Sequence, residues 1–319
     1  MITVTNDTKD FIENQKGELF IYGAGNSGYW IGYYLNQCGI NFTGYFDRKS
    51  YFENSLCNGR PVFQPEKLKE YEKNSIRVIV SPKAFETVLS DLLFADTKYG
   101  FHALCLVPRF MHFNLQREVY DINHFLGYFR RRLYKGDTPT IISNDCVAGE
   151  IYNSMDMLML SPTINTTMSA YDFLKICRDP EKYFSIDGEQ TGFSQILPLG
   201  DEPQDSSRGM PVMKVGDIMV TFAHPRQEAA KLVERWNYMR KKVNWKNLIF
   251  LLRLNHKAMP RECIREFSGM RSKHLIMNYG KNGMTYEDTD QLFFSDYIFG
   301  TDRAIENDFD LLGWMNQEI

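Results

Sequence analysis

The chain has 319 residues, 43% of them hydrophobic and 14% aromatic, which is enough apolar material for a sizeable core and a length that favours two domains. Its net charge of −3 argues against a global basic field of the kind that draws a protein to nucleic acid or to an anionic membrane. The six cysteines are widely spread without a Cys-x-x-Cys pair, and no secretory leader or membrane span is apparent, so the expectation is a cytoplasmic protein with reduced thiols.

Leu19 to Tyr22 form an apolar run that predicts a strand buried on both faces. Gly23, Gly25 and Gly28 follow it with the spacing G-x-G-x-x-G. In that pattern the first glycine permits a tight turn, the second lets a pyrophosphate approach the backbone and the third lets the helix pack on the strand. Asn26 and Ser27 lie in the opening turn of the predicted helix, whose free N–H groups and positive dipole end favour an anion. Trp30, Ile31, Tyr34 and Leu35 give its inward stripe, Gly39 ends it, and Phe42 to Phe46 make the next strand. Asp47 closes that strand about twenty residues past the glycines, where a carboxylate accepts ribose hydroxyls and repels a 2′-phosphate. The expected ligand is a nucleotide, with a nucleotide sugar and NAD as candidates. The alternative is a glycine turn that serves packing alone.

Residues 58 to 62 read as a turn, Pro65 opens a short helix, and Arg77 to Val80 is a third strand. Ser81-Pro82 follows, then a helix carrying Phe85, Val88, Leu89, Leu92 and Leu93, then a strand from Phe101 to Val107. Alternating strands and helices imply parallel pairing with ligands beyond the carboxyl ends, so Ser81 is expected beside Gly25 and Asp47. No lysine, tyrosine or histidine motif makes this half a self-contained dehydrogenase. Leu115, Val119, Ile122, Leu126, Phe129 and Leu133 follow helical spacing, and Gly136 to Pro139 supply turn chemistry. The domain reading is a Rossmann-like nucleotide-binding domain at 1–110, a linking helix at 111–137 and a second α/β domain with a mostly parallel sheet at 138–319.

In the second half, Thr140 to Ser143, Ile218 to Phe222, Leu248 to Leu252 and His274 to Met277 read as strands, with helices over Gln227 to Val243 and Pro260 to Phe267. If these strands are parallel neighbours, the polar groups after them converge on one rim: Asn144, Asp145 and Cys146, then His224, then Asn255 and His256, then Asn278. Cys146 near a helix start would have a depressed pKa, as a thiolate nucleophile needs, and His224 would be its base. Asp145, Cys146 and His224 are therefore the catalytic candidates. Asn144, Glu150, Ser161, Asn255 and His256 are the substrate-binding candidates. The bland reading makes Asn144 and Asp145 helix caps, Cys146 a packing residue and Ser161-Pro162-Thr163 a plain turn. The basic runs Arg130 to Arg132 and Arg240 to Lys242 read as solvated helix faces. Asp288-Thr289-Asp290 and Asp308-Phe309-Asp310 have the D-x-D spacing of some sugar transferases, but short acidic pairs recur by chance and no metal is predicted.

Several runs in order are similar to those of a bacterial domain family of unknown function whose members are often labelled exopolysaccharide biosynthesis proteins. They are Ile142 to Asn153, Leu160 to Asn165 with Tyr171 to Lys175, Val215 to His224, and Trp236 to Leu248, within about residues 138 to 280. The matching positions include Asn144, Cys146, Glu150, Ser161, His224 and Arg240. Val147-Ala148 stand where relatives tend to have a bulky aromatic and a glycine. The glycine loop and Asp47 separately resemble the small Rossmann-like domains of nucleotide-sugar enzymes in surface glycan pathways. These resemblances imply a surface-polysaccharide enzyme that transfers a group from a nucleotide or nucleotide sugar to a glycan or sugar acceptor. A non-catalytic nucleotide-sensing module of such an assembly is the alternative, followed by an NAD-dependent oxidoreductase.

Overall fold

The apolar runs pair into three sheets in a computed structural model that describes residues 3–4, 7–14, 16–49, 55–72, 75–81, 102–107, 120–194, 209–223, 228–253, 261–279, 291–294 and 311–317. The fold is mixed α/β, and the chain divides into two compact units, chiefly Met1–Lys135 and Gly136–Tyr152 with Met157–Asp296.

The first unit is built on an eight-stranded sheet of β1 (Thr3–Val4), β2 (Glu18–Tyr22), β3 (Gly44–Phe46), β4 (Leu56–Cys57), β5 (Arg60–Phe63), β6 (Ile76–Val80), β7 (His102–Val107) and β8 (Tyr120–Asp121). The order runs β1-β7-β6-β2-β3-β5-β4, with β8 beside β7. Every pair is parallel except the hairpin β4–β5. Leu19 to Tyr22 and all of β6 are buried, as strands covered on both faces require. The run 58–62, expected to be only a turn, is instead the tip and second strand of this hairpin. Asn58 and Gly59 take φ of 50° and 73°, the left-handed pair that a two-residue hairpin turn demands.

Helix α1 (Asn26–Gln37) buries Ile31, Tyr34 and Leu35 and begins from Gly25. A Cβ added to Gly28 would lie 1.8 Å from the Gly23 carbonyl oxygen, so the helix can approach the end of β2 this closely only with glycine there. The linking helix begins later than its periodicity predicts. Tyr120–Asp121 pairs with β7, and α2 covers Ile122–Leu133, while Leu115 and Val119 lie outside the described residues, as does the helix expected over 85–93. Arg130 departs from the solvated-face expectation: it is buried and donates to Ser154 O at 2.7 Å and to the Tyr34 hydroxyl at 3.3 Å. Arg131 and Arg132 remain exposed.

The second unit contains two sheets. β9 (Thr140–Ser143), β14 (Leu248–Arg253), β15 (Lys273–Tyr279) and β16 (Gln291–Phe294) pair side by side, all parallel. β10 (Thr166–Thr167), β11 (Glu189–Ser194), β12 (Met210–Val215) and β13 (Ile218–Phe222) form an antiparallel sheet. This corrects the expectation of a single mostly parallel sheet, because Ile218–Phe222 belongs to the antiparallel one. Its burial alternates, with Ile218, Val220 and Phe222 inside and Met219 exposed, so one face meets the core and the other meets water. Helices α3 (Val147–Ser154), α4 (Ala170–Arg178), α5 (Pro180–Ser185), α6 (Ala229–Met239), α7 (Arg261–Ser268) and α8 (Leu311–Asn316) follow in the chain, and short helical turns at Asp10–Asn14, Pro65–Glu70 and Arg240–Lys242 complete the described elements. A shared core joins Ile142, Phe250 and Ile276 of one sheet to Met213 and Val220 of the other through Phe173, Trp236 and Phe267 of the helices.

Gly28→Ala should lower unfolding free energy by at least about 2 kcal/mol, since the added methyl overpacks a backbone contact. An unchanged midpoint and slope in urea denaturation would refute the close approach.

Candidate functional site

Parallel pairing aligns the ends of three strands in the first unit. Tyr22 lies opposite Phe46 on one side and Val80 on the other, so Gly23, Asp47 and Ser81 are each the next step beyond the same rung. Gly23 N donates to Phe46 O at 2.7 Å and Ser81 N to Tyr22 O at 3.0 Å. Chain order reverses here, with β3 on one flank of β2 and β6 on the other, and open parallel sheets leave a ligand crevice at such a reversal.

Beside the end of β2 the three glycines differ. Gly23 holds a φ of +103°, and a Cβ there would lie 2.2 Å from Ser81 Oγ. Gly28 is closed off by the Gly23 carbonyl. Gly25 is ordinary in φ at −73°, and a Cβ there would meet none of the described residues within 4 Å. Among the described residues its backbone borders open space at the start of α1, where the N-cap glycine itself has no side chain to cap the helix. Asn26 and Ser27 form the first residues of α1, and Ser27 is buried. Asp47, expected to face a ribose, is buried and turned toward the chain: Oδ2 accepts Ala24 N–H at 2.7 Å and Oδ1 accepts Lys49 N–H at 2.9 Å. Among the described residues neither oxygen has a second partner, so each keeps a further lone pair. Ser81 is also buried.

In the second unit, the end of β9 is locked to the end of β14 by side chains. Asn144 Nδ2 donates to Arg253 O at 2.9 Å and Asn144 Oδ1 accepts Arg253 N–H at 2.7 Å, so the amide continues the ladder as a backbone group would. Asp145 Oδ1 accepts Val147 N–H at 2.9 Å, capping α3, while Oδ2 lies 2.5 Å from Arg253 Nη1. Both charges are buried. Burial pushes the Asp145 carboxyl above the usual carboxylate range, opposed by Arg253 and the Val147 amide. Arg253 is not among the residues that the sequence singles out, because the apolar run of this strand stops at Leu252. A cation closing such a run at its carboxyl end is nonetheless a legible signal.

Cys146 is half-buried, and its thiol is pushed up to about 11, chiefly by burial and next by the Asp145 charge. This reverses the expected depression: burial outweighs the helix end, and the thiol is protonated near neutral pH. Ser161 is buried and shares a hydrogen bond of 3.0 Å with Thr163, whose hydroxyl accepts Ser143 N–H at 3.1 Å. These hydroxyls bind the turn to β9. Glu150 is half-buried in α3. His224, Asn255 and His256 lie outside the described residues, as do both D-x-D segments. Because β13 belongs to the antiparallel sheet, its end does not continue the β9–β14 edge as the shared-rim expectation required. Asn278 lies within β15, opposite Phe293 of β16. Among the described residues no helix is long and apolar enough to cross a membrane.

Asp145→Ala should cost about 3–5 kcal/mol by stripping the buried Arg253 of its carboxylate, and Asp145→Leu with Arg253→Met should recover most of that loss. Denaturant midpoints of the single and double variants measure it, and additive losses would disprove the coupling. Alkylation of Cys146, followed by peptide mass spectrometry, should climb with pH toward a half-point near 11. Rapid labelling at neutral pH would contradict a protonated thiol.

No curated protein matches the chain. A family profile described as a domain of unknown function, DUF1919, matches residues 116–316, which is more than half the chain and includes the whole β9–β14 edge. The protein belongs to this DUF1919 family.

Proposed function

We propose that the first unit is a Rossmann-like nucleotide-binding domain, and that the protein is a cytoplasmic enzyme of surface-polysaccharide assembly. It takes a nucleotide or nucleotide sugar at the glycine loop and transfers a group to a glycan or sugar acceptor handled by the second unit. The observation that carries the nucleotide reading is the contrast among the three glycines: two are crowded by the protein itself and Gly25 opens onto unfilled space at a helix start. That is the arrangement a pyrophosphate needs to reach main-chain amides. The lone pairs left on Asp47 are the acceptors for ribose hydroxyls. The polysaccharide context rests on the resemblance carried by Ile142 to Asn153 and Trp236 to Leu248.

One observation favours the non-catalytic, nucleotide-sensing alternative. In the described part of the second-unit edge, Asp145 is committed to Arg253 and the Cys146 thiol is protonated. A sensor needs no activated nucleophile there.

A thermal-shift panel of NAD, nucleotide sugars and free nucleotides tests the ligand. A ligand at a hundred times its Kd should add about 2.7 kcal/mol of stability. Gly25→Val should leave the unliganded melting temperature nearly unchanged, because its side chain enters open space, while abolishing the ligand shift. A variant that still responds fully would place the nucleotide elsewhere.

A further inference from the structure

A guanidinium withdrawn from water needs compensation, and the sheltered arginines of this chain mostly show it. Arg77 donates to the carbonyls of Gly17, Phe11 and Ile12. Arg240 serves Phe184 O and pairs with Asp187, and Arg253 pairs with Asp145, although among the described residues the Nε of each is buried without a hydrogen-bond partner. Arg235, on α6, differs from Arg240 and Arg253 in having no acidic partner among the described residues, and none of its nitrogens is among the buried atoms left without a partner. It is half-buried, its Nη2 donates to Ile164 O at 2.5 Å, and among the described residues it has no carboxylate and no second carbonyl. Burial holds its pKa below the usual value, with no neighbouring acid opposing that effect. Among the described residues, five N–H donors in a fixed fork are thus anchored by a single bond.

The anchor is itself firmly placed. Ile164 follows Thr163, whose hydroxyl is tied to β9 through Ser143 N–H. A Cβ on Gly149 of α3 would touch the Ile164 side chain at 3.5 Å, so this turn packs against the helix that Asp145 caps. The next residue, Asn165, is exposed at a left-handed φ of 57°, and its carbonyl accepts Ala223 N–H at 2.8 Å at the end of β13. Arg235 therefore reaches the place where α3, the Ser161-to-Asn165 turn and the end of the antiparallel sheet meet. A simple latch onto one carbonyl needs one donor. A planar fork with its remaining donors uncommitted matches an oxyanion.

We infer that Arg235 is the anion seat of the second unit, held by the Ile164 carbonyl so that its open N–H groups grip a phosphoryl or carboxylate oxygen of the ligand. This extends the reading of the second unit as the acceptor-handling part, and it does not require the glycine loop to bind a nucleotide.

The test uses the full chain carrying Gly25→Val, which removes phosphate retention at the glycine loop. Inorganic phosphate and glucuronate are titrated separately at low salt by calorimetry, the first standing for a phosphoryl group and the second for an acidic sugar. Saturable binding of at least one anion is expected. Arg235→Gln in the same background should weaken it roughly tenfold or more, as loss of one charge-assisted contact implies. Arg235→Lys keeps the charge and the reach to Ile164, and should bind with intermediate affinity, which covers the case in which the Gln variant loses its fold. Failure of both anions to saturate, or unaltered affinity in the Lys and Gln variants, overturns the proposal. Nucleotide response of the chain with Gly25 intact reports on the glycine loop separately.

Discussion

The first unit is governed by a contact that leaves no room for a methyl group, the one between Gly28 and the carbonyl of Gly23. It draws the opening turn of α1 onto the end of β2 and fixes where the helix amides point. The buried Asp47 carboxylate then holds the N–H of the intervening Ala24, while the Cys57 sulfur approaches the Ala24 carbonyl at 3.9 Å, so the peptide chain is gripped on both sides of that residue. A carboxylate beside a helix start draws on the same positive field that would welcome a phosphate. Among the described residues, the open side of this helix start is the one bordered by Gly25.

The second unit uses polar side chains as main-chain substitutes. Asn144 completes the ladder to β14, and the Tyr152 hydroxyl accepts Ile141 N–H at 2.8 Å while donating to Pro139 O at 2.7 Å. Asn244 Nδ2 donates to Thr138 O at 3.0 Å, and Asn247 Nδ2 to Asp137 O at 2.7 Å. Short strands leave many backbone groups without sheet partners, and each must be satisfied once buried. The asparagines and hydroxyls around β9 meet that need. Polarity at a strand end is consequently a weak guide to function in this unit, and an incompletely committed charge such as Arg235 is the more informative feature.

Strands β2, β3, β6 and β9 and helix α1 are legible in the sequence, because a strand covered on both faces must be uniformly apolar and a glycine turn marks its end. Parallel or antiparallel pairing is not a local property, and for that reason the sequence alone puts Ile218 to Phe222 in the wrong sheet. The alternation of exposed Met219 with buried neighbours is the available hint of a one-faced strand. Glu189–Ser194 escapes prediction, since its polar residues and interior glycine offer little strand signal. At the candidate site, the spacing of Gly23, Gly25 and Gly28 is plain. The protonation of Cys146 is not, because it depends on burial and on a carboxylate whose partner lies far along the chain.

The Asn144 lock joins positions 109 residues apart, with the antiparallel sheet strung between them. Closing so long a loop delays the contact, because its entropic cost must be met before β9 and β14 reward it. During synthesis Ile141 and Ile142 emerge well before Ile249 and Phe250 exist to cover them. The intervening segment reaches the nascent chain first, so its antiparallel sheet is the surface available for early collapse before β9 can meet β14. The polar clasp at the strand end then acts as a register stop for that late pairing, setting which rung the two edges adopt.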